Sequence, residues 1–208
     1  MHKGVKYALF TAAFLLVGYN SIYVKKLSEV KKATETSEFD ALAYAKKFLN
    51  KTLPANKEKA ISLAELTQLL KSNPRKAYSY SNAQNDGNIR YFMVKGEGEI
   101  LKLDEDNAYL QVAGVAPKVL LATQYILGNA ARDGSGLISV DEFTTTMEMN
   151  TVSEELNKLI KAEVLPRFKS DAKLGSKVSF IGSVQLNQAK AVPDSLEIIP
   201  LILNIVNH

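Results

Sequence analysis

The stretch Ala131-Arg-Asp-Gly-Ser-Gly-Leu-Ile-Ser-Val-Asp-Glu142 carries the residue types of a cation-binding loop. An EF-hand loop takes oxygen ligands at positions 1, 3 and 5, Gly at 6, an apolar residue at 8 and a bidentate Glu at 12. With Asp133 at position 3, Ser135 falls at 5, Gly136 at 6, Ile138 at 8 and Glu142 at 12. Position 1 is then Ala131 and position 2 is Arg132, so one hard ligand is missing and a cation stands beside the site. The favoured reading is a Gly-containing turn in which Asp133 pairs with Arg132 or with backbone amides. No metal and no cofactor is expected; Asp133, Ser135 and Glu142 are the metal-binding alternative. The Arg132-Asp133 pair can fix a loop through charge-assisted hydrogen bonds. It can also present a guanidinium to an anionic or hydroxylated ligand. The fixing role is preferred.

A second group that could do chemistry is the carboxylate run Glu97, Glu99, Asp104, Glu105 and Asp106. A glycosidase needs two carboxylates facing each other across a cleft; these flank a turn signal, where charges are usually solvated. The chain has no phosphate-binding loop, nucleophile elbow or HExxH helix. Cys is absent and the two His are His2 and His208, which excludes disulfides, thiolate metal sites, a cysteine nucleophile and a histidine-based triad. No catalytic residue is named and no enzyme is expected.

The elements that must position these residues follow from composition and period. Of 208 residues, 46% are hydrophobic and 23% charged, a globular balance amounting to one domain with an appended segment. The net charge of +4 is spread along the chain, so no nucleic acid is expected. Tyr91, Phe92 and Tyr109 are the aromatics an oligonucleotide-binding barrel could use, and a core role is preferred for them.

Residues 1–24 have a basic start and an 18-residue apolar run, Tyr7 to Val24, the layout of a signal or anchor segment. No good small-residue cleavage pair follows, so an uncleaved single-pass anchor is favoured over a cleaved signal. Lysines flank both ends of the span and leave its orientation open by charge. Residues 25–37 are expected to be a linker and 38–208 one globular domain, with helices within 38–71. The first is expected to be capped by Ser37, the second to run from Ser62 to Lys71. From Ile89 the period changes to two. Strands are expected over Ile89–Leu103, with a bulge at Gly96 and Gly98, then over 108–114 and 118–126. A helix over 152–161 should be capped by a Thr151–Glu154 box. Two more strands follow at 177–184 and 196–206. Three strands, a helix and two strands is the order of a five-stranded OB-like Greek-key barrel over 89–206. The fold class is thus α+β, with two helices before the barrel, a membrane-anchor helix at the N-terminus and a plain α+β sandwich as the alternative.

The segment Gly128-Asn-Ala-Ala-Arg132-Asp133-Gly-Ser-Gly136, with Ile138, Phe143, Thr144, Glu148, Leu156 and Asn157, resembles domain-of-unknown-function family 2291, described as predicted periplasmic lipoproteins. Residues 25–30 and the last pair of strands with Pro200 extend the resemblance. Two departures stand out: Thr145-Thr146 replaces a frequent Asn-Gln, and there is no Cys to acylate. The resemblance implies that Gly128, Arg132, Asp133, Gly136, Phe143 and Glu148 form the motif. It further implies an exported, envelope-tethered domain, placed outside the cytoplasmic membrane, that neighbours sugar ABC-transport systems. Its expected partners are the membrane through the N-terminal helix, and transporter subunits or a solute-binding protein. An OB-type module for oligosaccharide or another small ligand is the alternative.

Overall fold

A computed structural model of the chain describes residues 3–5, 7, 39–84 and 87–206. The chain divides into two units, Met1–Phe39 and Asp40–His208. In the first, residues 3–5 and 7 are helical; the rest of the expected anchor, the linker over 25–37 and the Ser37 cap lie outside the described residues. Among the described residues no helix is long and apolar enough to cross a membrane.

The second unit begins with α1 (Ala41–Lys47), capped by Asp40, whose Oδ1 accepts the Ala43 N–H. A π-helical stretch Phe48–Thr52 and a last turn Leu53–Ala55 extend it to Ala55. The two-residue strand β1 (Ile61–Ser62) then leads into α2 (Leu63–Ser72), whose Leu63, Leu66 and Leu70 are buried at helical spacing. α2 ends at Ser72, with Asn73 as its C-cap. Asn73 caps a further helix, α3 (Pro74–Tyr78), in which Pro occupies the first turn, where its missing N–H costs no hydrogen bond.

The barrel strands are β2 (Ile89–Leu103), β3 (Asn107–Val112), β4 (Lys118–Ala122), β5 (Lys177–Asn187) and β6 (Ser195–Val206). β2 pairs antiparallel with β3, and β3 with β4. β4 pairs parallel with β6, β6 antiparallel with β5, and β5 antiparallel with β2, which closes the ring. The five long strands thus have the cyclic order of a Greek-key barrel, and β1 adds a sixth by pairing parallel with β2. The fold is mixed α+β. Phe92, Ile100, Leu121, Val178, Leu196 and Ile198 fill the barrel and are almost wholly buried.

Three expectations are corrected here. Gly96 and Gly98 do not mark a bulge. A Cβ on Gly96 would meet the Phe180 ring at 2.8 Å, and one on Gly98 the Gln111 carbonyl oxygen at 2.9 Å, so both are needed for close packing. The register instead shifts between Ile100 and Lys102, and again where Gly182 faces Pro200, a place where a proline without an N–H is tolerated. The helix after β4 starts earlier than expected. It is α5 (Thr146–Leu159), preceded by a short α4 (Ala130–Asp133), and Thr145 rather than Thr151 caps it by accepting the Glu148 N–H. It continues through a π-helical stretch Ile160–Val164 into α6 (Leu165–Asp171).

Candidate functional site

The segment from Gly128 to Met149 lies against the outside of the barrel, and a close approach at Gly134 puts it there. A side chain at Gly134 would collide with Ser183 of β5 and meet the Ala130 carbonyl oxygen at 2.8 Å. Only glycine lets α4 sit this close to the strand. Asn82 ties the same point to β2. Its backbone exchanges hydrogen bonds with Tyr91, and its Nδ2 donates to the Gly134 carbonyl at 2.9 Å. The Asn82 carboxamide fills the space a Cβ on Gly136 would need, and Gly136 has φ +62°. Gly128, at φ +70°, turns the chain into α4, and its carbonyl accepts a hydrogen bond from Asn157 Nδ2 at 2.9 Å.

Beneath this segment lies the Arg132–Asp133 pair. Arg132 Nε donates to Asp133 Oδ1 at 2.6 Å and Nη2 donates to Oδ2 at 3.1 Å, a two-bond fork. Nη1 donates to the Met149 carbonyl at 3.2 Å, which pins α5 to α4. Arg132 is only 2% exposed and Asp133 3%, so each charge depends on the other for its solvation. Ser135 Oγ completes the turn by accepting the Leu137 N–H.

The pair also lines a cleft of about 590 Å³ on the outside of the barrel. Gln84, Asn129, Asn150 and Gln185 line it, with Tyr91; Ile89, Val140 and Met149 supply apolar wall. Tyr91 lies directly opposite Gln185 across the β2–β5 pairing, on the outward face, while Phe92 and Val184 beside them point into the core. Burial, and then the Asp133 carboxylate, push the Tyr91 phenol above its ordinary range, with Arg132 opposing. It therefore stays a neutral hydroxyl. Gln84 donates Nε2 to the Ile138 carbonyl. The Asn129, Asn150 and Gln185 amides have no hydrogen-bond partner among the described residues.

Of the motif residues, only Arg132 and Asp133 line the cleft. Gly128 and Gly136 shape the segment on either side. Glu148 Oε2 accepts the Thr144 N–H at 2.9 Å, closing the start of α5. Phe143 packs its ring 5.5 Å from that of Tyr44 in α1. The residues of the calcium alternative are already engaged: Asp133 by Arg132, Ser135 by the turn, and Glu142 twice. Glu142 Oε1 accepts the Ser139 N–H in a capping box, and its Oε2 accepts the Tyr44 hydroxyl at 2.8 Å. No group of three or more His, Cys, Asp or Glu among the described residues is arranged to hold a metal ion. The carboxylates Glu97, Glu99 and Glu105 are exposed, and Asp104 accepts the Asp106 and Asn107 N–H groups in the β2–β3 turn. Phe92 is core as expected; Tyr109 is half-buried, with Lys102 Nζ 4.5 Å above its ring.

The Tyr44–Glu142 bond gives a test of how α1 is fastened. Burial first, then the hydrogen bond to Glu142 and its charge, push the Tyr44 phenol well above its ordinary value of 10.0. A raised folded-state value stabilises the fold fully below the unfolded value, and the contribution is lost as pH rises through the folded value. Tyr44→Phe should therefore cost about 1 kcal/mol near neutral pH. It should also weaken the loss of stability between about pH 9 and pH 11, read by urea unfolding at both. An unchanged alkaline slope would mean that burial and Glu142 do not hold the folded phenol neutral.

The comparisons with known proteins agree with this architecture. A family model described as "Predicted periplasmic lipoprotein (DUF2291)" matches residues 12–204. No curated protein matches the chain. Among solved structures, the chain is similar to an OB-fold protein from Thermotoga maritima, with 27% identity and a TM-score of 0.72, over 82% of this chain and 100% of that one.

Proposed function

The chain belongs to the DUF2291 family of predicted periplasmic lipoproteins, and from that membership we propose that it is a non-enzymatic binding or accessory domain of the cell envelope. In this reading residues 1–24 tether it to the cytoplasmic membrane and the OB-like domain stands outside. With no Cys in the sequence given, the tether is peptide rather than lipid. The partners are transporter subunits or a solute-binding protein, as the family resemblance implies.

The observation that supports this reading is the Arg132 cleft. A buried ion pair is an expensive way to fix a surface loop, and this one lines a mixed polar and apolar cleft on the outside of a closed barrel. The test is affinity purification of the full chain from gently solubilised membranes beside Gln185→Arg, an exposed position that puts a cation into the cleft without touching the buried pair. Transport components should co-purify with the parent chain and be lost from the variant. Recovery of the chain in the cytosolic fraction, or a clean preparation with no partner, would sink the accessory reading. A second reading, a module for a small ligand, is favoured by the cleft amides that have no partner among the described residues.

A further inference from the structure

We propose that the Arg132 cleft binds a neutral polyhydroxylated small molecule, a sugar or polyol, through its carboxamides and the Tyr91 hydroxyl. This rests on the small-ligand reading above and adds the chemistry of the ligand. Charge comes first. Among the described lining residues the ionic groups are one Arg and one Asp, already joined by two hydrogen bonds. The described lining therefore carries no net charge to attract a phosphate, a carboxylate or a cation.

Hydrogen-bonding capacity comes next. Asn129, Asn150 and Gln185 each bring a donor NH₂ and an acceptor carbonyl, and none of these amides has a partner among the described residues. A sugar hydroxyl donates and accepts at once, so it pairs with either end of a carboxamide; a phosphate only accepts. Arg132 has five N–H bonds, of which three are engaged. Arg132 lines the cleft, and two of its N–H groups have no partner among the described residues. Asp133 thereby orients the guanidinium, and Arg132 binds. Shape completes the match. About 590 Å³ lies within the range of small-molecule sites, and Ile89, Val140 and Met149 supply apolar surface for the C–H face of a ring.

The test is thermal unfolding of the full chain with glucose, ribose, maltose and xylitol, beside glucose 6-phosphate and gluconate. At a concentration about ten times Kd, a neutral member of the set should raise Tm by about 3 °C or more. The two anions should have no such effect. In Asn150→Leu/Gln185→Leu the shift should disappear while the ligand-free Tm stays within about 2 °C of the parent, since both residues are exposed. Three results would overturn the proposal: no shift with any neutral compound, an equal shift with the anions, or a shift that survives in the double variant. Its failure is separable from failure of the accessory reading. Transport components co-purifying with a chain that ignores all four neutral compounds would remove the ligand and leave the accessory role.

Discussion

Arg132→Ala is expected to lower the unfolding free energy by about 3–5 kcal/mol, because it leaves the Asp133 carboxylate buried with no counter-charge. Asp133→Ala should cost a similar amount by stranding the guanidinium. The informative comparison is Arg132→Met/Asp133→Leu, which replaces both charges with apolar groups of related volume. Removing a whole buried ion pair in this way is often close to neutral, so the double variant should be far more stable than either single one. It should not recover fully. Arg132 Nη1 also serves the Met149 carbonyl, and losing a hydrogen bond from a charged donor costs about 1.5–3 kcal/mol. Urea unfolding of all four proteins gives the comparison. Single variants within about 1 kcal/mol of the parent would mean that water reaches the pair, contrary to its burial.

Gly134→Ala is expected to cost about 3 kcal/mol, at the upper end for overpacking. The added methyl would collide with the Ser183 hydroxyl, approach Ser183 Cβ at 2.5 Å and meet the Ala130 carbonyl at 2.8 Å. Ser183→Ala alone should be mild, since that buried hydroxyl has no hydrogen-bond partner among the described residues. Combining Gly134→Ala with Ser183→Gly opens space on the strand side but not at the backbone of α4. The pair should be less damaging than the sum of its parts by more than about 1 kcal/mol. Simple additivity would mean that α4 does not rest on β5 at this point. The same cycle reports on the cleft, because the seating of α4 on β5 sets where Arg132 stands.

Much of the barrel was legible in the chain. β2 has the expected ends, Ile89 and Leu103, because the turn signal Asp104-Glu105-Asp106 leaves its far end little freedom. The order of three strands, helix and two strands then carries the topology. Other features were not legible, for identifiable reasons. β1 has two residues and exists only because β2 offers it an edge. Thr145/Glu148 and Thr151/Glu154 share one capping pattern. The earlier pair wins because the longer helix brings Met149 within reach of Arg132 while keeping Val152 and Leu156 buried. Gly96 and Gly98 look like bulge residues but answer to Phe180 and β3, partners that local spacing does not reveal.

The cleft shows the same division. Arg132 and Asp133 stand out because a charged pair among glycines is conspicuous. Gln84, Asn129, Asn150 and Gln185 are ordinary polar residues scattered along the chain, and no local signal marks them. The core role preferred for Tyr91 is corrected by the structure, which puts it on the outward face. Only the β2–β5 register places it opposite Gln185 and under the Arg132 segment.

The route by which the ring closes bears on how the molecule comes to be folded. β2 must find β5, and β4 must find β6, each across the whole intervening helical segment. Such distant pairings make assembly slow. The final strand, Ser195–Val206, supplies both the parallel partner of β4 and the antiparallel partner of β5. Until it arrives, two strands expose unpaired edges that a neighbouring chain could extend. A chain threaded through a membrane from its N-terminus would therefore hold an open sheet until its last residues emerged, then shut in one step. Folding speed at that moment, rather than final stability, sets how much of it escapes aggregation.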